Sequence, residues 1–192
     1  MIPIIITLLY LKIWNVSSVV QCPNNAINSC ELRGFSSQTI VIDDDFDDGR
    51  LLCNVLNPCR SSIIIVASKI FTIQFEDGNS GEGCTIETGL PIIIPATFAP
   101  ANFDDRGVAG DIFCDGESSC INTQINLNGK YPAGITLNAR GKNSLVNSEV
   151  RCDLEFGQQC RVICSDNFPG TCAGLTIVCN SCNCVCTGSS CP

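Results

Sequence analysis

VRCDLEFGQQCRVICSDNFPGTCAGLTIVC, residues 150–179, sets five cysteines among short apolar runs broken by Gly, Asn, Asp and Ser. Short runs rich in Ile and Val fit the pleated surface of a strand, and the residues between them accept turn dihedrals readily. The cysteines also recur. Cys152 and Cys172 are 20 apart, Cys160 and Cys179 are 19 apart, Cys164 and Cys184 are 20 apart, and Cys172 and Cys191 are 19 apart. Upstream, Ile92, Ile93 and Ile94 precede Ile112, Phe113 and Cys114 by 20 residues. A lag of about 20 residues is the length of one coil of a β-solenoid, where each residue lies about 4.8 Å from its equivalent in the next coil. That separation permits a disulfide between coils, and lateral neighbours within a coil are equally open as partners.

The same punctuation runs along the chain, at Ile40–Ile42, Ile63–Val66, Ile70–Phe75, Ile92–Ile94, Ile112–Cys114, Ile125–Leu127, Ile135–Leu137, Val146–Val150 and Leu175–Cys179. Ile70 to Phe75 nearly alternates, whereas the IIIV and III runs suit strands without a polar face. No stretch sustains a period of 3.6, so little helix is expected, one turn at most near the start of the mature chain. Asn122, Asn126, Asn128, Asn138, Asn143 and Asn147 suit stacked turns, where Asn satisfies backbone groups. Two all-β folds fit. The leading expectation is a disulfide-stapled right-handed parallel β-helix of roughly seven or eight coils; the alternative is an antiparallel β-sandwich of the same strands.

Composition narrows the setting. The 192 residues suit one domain, and 45% are hydrophobic, enough for a core. A net charge of −8 repels phosphate backbones and anionic membranes, so nucleic acid and membrane insertion are not expected. Sixteen cysteines, an even number, point to an oxidising compartment. Residues 2–11, IPIIITLLYL, are apolar, Lys12 and Asn15 interrupt the run, and Ser17 and Ser18 offer a small-residue cleavage site. Residues 1–18 therefore read as a secretory signal, although no positive charge precedes the apolar run. Residues 19–192 then form a single cysteine-rich domain, most regular over 105–192, secreted or at the cell surface. The sole N-glycosylation sequon, Asn15-Val16-Ser17, falls within the signal, and the chain ends in GSSCP without the hydrophobic tail of a lipid anchor.

Three groups of residues invite chemistry. The end of the chain, CNSCNCVCTGSSCP (179–192), carries five cysteines that suit a zinc thiolate site, a redox dithiol or staples. No βαβ pattern is present to lower a thiol pKa. In a strand, Cys182, Cys184 and Cys186 share one face about 6.5 Å apart with parallel Cβ vectors, so each is expected to bond to a neighbouring coil or turn. The disulfide candidates are Cys22, Cys30, Cys53, Cys59, Cys84, Cys114, Cys120, Cys152, Cys160, Cys164, Cys172, Cys179, Cys182, Cys184, Cys186 and Cys191, up to eight bridges. The run Asp43-Asp44-Asp45-Phe46-Asp47-Asp48-Gly49 could hold calcium through Asp43, Asp45 and Asp47, but it misses the EF-hand spacing, and an acidic turn between two strands is the simpler use. The chain has no His, which removes Ser-His-Asp and Cys-His catalysis. Asp43/Asp44 and Asp104/Asp105 are adjacent pairs that a strand would point to opposite faces, the wrong disposition for flanking one glycosidic bond. No catalytic residue and no cofactor is expected.

IFCDGESSCINTQINL (112–127), residues 150–179 and CNCVCTGSSC (182–191) share one pattern. An apolar residue precedes Cys by two, a turn with Gly or Ser leads to a second Cys, and an apolar strand follows. Over residues 105–192 this resembles the cysteine-rich right-handed parallel β-helix proteins of unicellular eukaryote surfaces, related in architecture to the pectate-lyase-like fold. The resemblance implies an extracellular protein and carries over no catalytic residues. A secreted structural or adhesive component is the leading functional expectation, with itself (end to end or lateral) or an extracellular glycan as partner. The alternative is a module binding carbohydrate or protein, for which Phe98, Phe103 and Tyr131 are the available aromatics. A polysaccharide-active enzyme relying on Asp104 or Asp105 comes third.

Overall fold

The computed structural model describes residues 19–21, 29–33, 36–42, 48–54, 58–66, 70–89, 109–180 and 182–192. Among them there are strands, turns and no helix. In chain order the strands are β1 (Val19–Gln21), β2 (Ser29–Arg33), β3 (Thr39–Ile42), β4 (Asp48–Cys53), β5 (Ile63–Val66), β6 (Ile70–Phe75) and β7 (Thr85–Thr88). After a longer connection come β8 (Ala109–Cys114), β9 (Gln124–Gly129), β10 (Ile135–Ala139), β11 (Glu149–Leu154), β12 (Gln159–Cys164), β13 (Thr176–Cys179) and β14 (Asn183–Thr187). Odd-numbered strands form one seven-stranded sheet in order and even-numbered strands form another, every pair parallel. The chain thus crosses from one sheet to the other and back in each coil. This is a parallel β-solenoid, and the antiparallel sandwich is overturned.

Register explains why Ile and Val dominate. Ile40, Ile64, Ile86, Ile125 and Val150 are successive partners across the first sheet, and all are fully buried. Opposite them, Leu51, Ile73, Ile112, Leu137 and Val162 form a matching column in the second sheet. Like residues stacked about 4.8 Å apart fill the narrow interior continuously. Each fully buried side chain of this kind contributes about 1.5–3 kcal/mol by leaving water. The coil length is not constant. Val19 pairs with Thr39, 20 residues on, but Thr39 pairs with Ile63, 24 on, and Glu149 with Thr176, 27 on. Thr85 pairs with Gln124, 39 on, because the β7–β8 connection is long. Ile92–Ile94, expected as a strand, lies there, outside the described residues; near the start of the mature chain, where a helical turn was expected, Val19–Gln21 is a strand and residues 22–28 lie outside the described residues. The cysteines sharing the 19–20 spacing do not stack. Cys152 stands beside Cys179, and Cys160 beside Cys184.

The corners leading from an even strand to the next odd strand repeat even more closely. Residues 76–84, 115–123 and 140–148 are nine-residue corners of one design, and residues 58–62 before β5 match the last five places of it. Their fourth, sixth and eighth residues take the left-handed conformation: Asn79, Gly81 and Gly83; Ser118, Cys120 and Asn122; Asn143, Leu145 and Asn147. Cys59 and Ser61 fill the last two of these places before β5. The 165–175 corner is two residues longer and places Gly170, Cys172 and Gly174 there. The conformation aims successive N–H groups at alternate neighbours. At the sixth place, Cys120 donates to the Ser80 carbonyl at 2.9 Å and Cys172 to that of Ser144 at 2.8 Å, one coil back. At the eighth, Asn122 donates to Val146 at 3.0 Å and Asn147 to Ala173 at 2.9 Å, one coil forward. The hydrogen-bond ladder therefore continues around the corner. Asn and Gly tolerate this conformation best, which places Asn122, Asn143 and Asn147 in corners; Asn126, Asn128 and Asn138 lie in strands instead.

Candidate functional site

The cysteines fall into two sets built on this frame. In the first, the last residue of an even strand is bridged to the corner residue four before the next strand: Cys53–Cys59, Cys114–Cys120 and Cys164–Cys172, with Cα–Cα distances of 5.6, 6.0 and 6.0 Å. The intervening coils put Phe75 with Gly81, and Ala139 with Leu145, in the same places. One slot is thus filled by a cystine, by a large and a minimal residue, or by a small and a medium one. The second set lies at the C-terminal end: Cys152–Cys160, Cys179–Cys184 and Cys186–Cys191, Cα–Cα 6.5, 6.3 and 5.8 Å.

Among the described residues, all six bridges close within five to eight residues, and none of them joins one coil to the next. Cys184, expected to reach a neighbouring coil or turn, bonds across its own corner, and Cys186 bonds to the tail. Stacked residues in parallel strands hold their Cβ atoms side by side, a poor disposition for S–S bonding, whereas residues facing each other across a corner converge.

Two candidates for bridging carry thiols instead. Cys84 is buried, at the ninth corner place that Ser62, Thr123 and Ser148 occupy in other corners. There Thr123 donates to the Gly81 carbonyl at 2.9 Å and Ser148 to that of Cys120 at 2.7 Å. Cys84 takes the hydroxyl's place, with its sulfur 4.0 Å from Thr123 Oγ1, and burial pushes its thiol up to about 12. A thiol so placed is inert. Cys182 is half-buried, 3.8 Å from Cys184 Sγ and 3.3 Å from the Cys152 carbonyl. Cys30 lies in β2, and Cys22 lies outside the described residues.

Cys152, Cys182 and Cys184 hold their sulfurs within 4.8 Å of one another, as do Cys164, Cys186 and Cys191. A zinc site needs thiolates. Bridging leaves the first group one thiol and the second none, so these donors do not suit a metal in the bridged protein. The calcium candidates Asp43, Asp45 and Asp47, the pair Asp104 and Asp105, and Phe98 and Phe103 all lie outside the described residues. Tyr131 is a core residue, 4% exposed, edge-on to Phe71 with ring centroids 5.7 Å apart. It offers no binding platform.

Sequence reading missed a polar cleft on the outer face of the first sheet. Gln124, Asn126, Glu149 and Arg151 line a cavity of about 210 Å³, and Arg151 pairs with Glu149. The outward positions of β9 and β11 were its signal, legible only once register sets Gln124 beside Glu149 and Asn126 beside Arg151.

Fold and bridges define a cysteine-stapled parallel β-solenoid, and a disulfide-rich solenoid fits an extracellular protein. No protein-family model, curated protein or solved structure matches the chain.

Proposed function

We propose that the chain is a secreted, non-catalytic structural or adhesive component of an extracellular or cell-surface layer. The observation that carries this reading is the pairing of local bridges with an inter-coil ladder that runs through both sheets, which together stiffen a rod that must last in an oxidising milieu. The apolar leader of residues 2–11 supports export. The C-terminal end supports self-association. There β13 and β14 are the last strands of their sheets, and a hollow lined by Leu175, Ile177, Cys184, Cys186 and Pro192 opens beside them. Another copy's coil would extend both sheets and cover that hollow. The test is incubation with a broad protease, with and without reductant, beside sedimentation and electron microscopy of the mature chain. Resistance that reductant abolishes, together with concentration-dependent linear assemblies, supports the reading. A readily digested monomer refutes it.

A second reading, a glycan-binding module, is favoured by the cleft at Gln124, Asn126, Glu149 and Arg151, whose amides, carboxylate and guanidinium match sugar hydroxyls. A screen of soluble glycans for binding and cleavage, repeated with Asn126→Ala, separates the two.

A further inference from the structure

We propose that the C-terminal coil is a thiol–disulfide exchange site, in which Cys182 attacks Cys184 of the Cys179–Cys184 bridge and the thiol passes to Cys179. Cys182 Sγ stands 3.8 Å from Cys184 Sγ, in van der Waals contact, while Cys184 is bonded to Cys179. Exchange requires an attacking thiolate, a disulfide sulfur within reach and a leaving thiol. All three lie in six consecutive residues, with the attacker already at the sulfur it would attack.

The step balances without oxidant or reductant. Cys182 gives its proton to water, its sulfur bonds to Cys184 Sγ, the Cys184–Cys179 bond breaks, and the electron pair leaves on Cys179, which can take up a proton. Two sulfurs are bridged before and two after. What changes is access. Cys182 is half-buried in the corner, whereas Cys179 is exposed at the end of β13, which among the described residues pairs only with β11. The thiol therefore moves from a covered place to the open edge of the solenoid. There it can take an aliphatic disulfide: the Cys179 thiolate bonds to one sulfur of the incoming disulfide and expels the other as a thiolate. Cys84 is the internal contrast, a fully buried thiol whose sulfur stands 4.0 Å from the Thr123 hydroxyl.

The experiment uses the full mature chain. It is pulsed with N-ethylmaleimide or incubated with oxidised glutathione near neutral pH, then acid-quenched. The peptides that begin after Arg151 and after Arg161, which together hold Cys152 to Cys191 and exclude Cys22, Cys30 and Cys84, are fragmented without reduction. The expected result is label on both Cys182 and Cys179, with a Cys182–Cys184 bridge in every molecule labelled at Cys179. Glutathione is expected on Cys179, and Cys182→Ser loses that adduct. Label and glutathione confined to Cys182, with Cys179–Cys184 as the sole pairing, would overturn the proposal. So would an undiminished Cys179 adduct in Cys182→Ser, or a thiol that emerges at Cys160 rather than Cys179. The wild-type measurement stands alone if the variant fails to fold.

Discussion

The ring of Phe75 occupies the space that a side chain on Gly81 would need: a Cβ built on Gly81 falls 2.5 Å from two of the ring carbons. Gly81 also sits at φ 71°, in the left-handed region. In the coils before and after, the same two places hold Cys53–Cys59 and Cys114–Cys120. The slot alternates between covalent and van der Waals filling because its volume is set by the coil, not by the bond.

Gly81→Ala is expected to destabilise the protein by about 2–4 kcal/mol, since it adds both overpacking and backbone strain. The double change Phe75→Cys with Gly81→Cys is expected to fold and to form a new bridge, because neighbouring coils bridge those places. Urea titration reads the first. Intact mass before and after reduction reads the second, which fails if two additional thiols remain.

Removing a native bridge is expected to have a modest cost. The Cys114–Cys120 bridge closes a loop of only six residues, so the unfolded chain loses little freedom. Cys114→Ala with Cys120→Ala is expected to lower stability by about 2–4 kcal/mol, part of it from the cavity. Unfolding followed by circular dichroism checks this. A cost near zero would show that stacking alone holds the coil.

Ile125 sits in the middle of the buried column, between Ile86 and Val150. Ile125→Ala is expected to cost about 2–5 kcal/mol, because coils on both sides are hydrogen-bonded and cannot close over the gap. Ile63→Ala, on the exposed face of β5, is expected to change stability by under about 0.5 kcal/mol. Equal effects on the two variants would contradict the assignment of faces.

Asp111, between Thr72 and Thr136 in register, has its carboxyl pushed up from 3.8 by burial. A raised folded-state value favours the protonated form, so the contribution is present below the unfolded value and is lost as pH rises through the folded one. Asp111→Asn is therefore expected to stabilise the protein at about pH 7 and to have no such benefit at about pH 3. Thermal melts at both pH values check the sign.

Much of the fold is legible in the residues. Ile63–Val66, Ile70–Phe75 and Ile135–Leu137 announce strands because β-branched runs between turn residues fit little else. β12 and β14 are harder to read, since Arg161 interrupts one and cysteines fill the other. Coil length misleads because cysteines at different places in the coil share a spacing: Cys152 lies inside its strand, whereas Cys172 lies in a corner, four residues before the next strand. The role of the cysteines is legible, but their partners are not, since pairing depends on which Cβ atoms converge across a corner. Cys84 is unreadable as a thiol without the alignment of corners that sets it beside Ser62, Thr123 and Ser148. The polar cleft requires register between β9 and β11, which no local pattern supplies.

Disulfide mapping of the unreduced protein probes the whole fold most directly. Stacked coils with corner bridges require Cys53–Cys59, Cys114–Cys120, Cys152–Cys160, Cys164–Cys172 and Cys186–Cys191, with Cys84 as a thiol. Links between cysteines some 20 residues apart, such as Cys152 to Cys172 or Cys164 to Cys184, would contradict it.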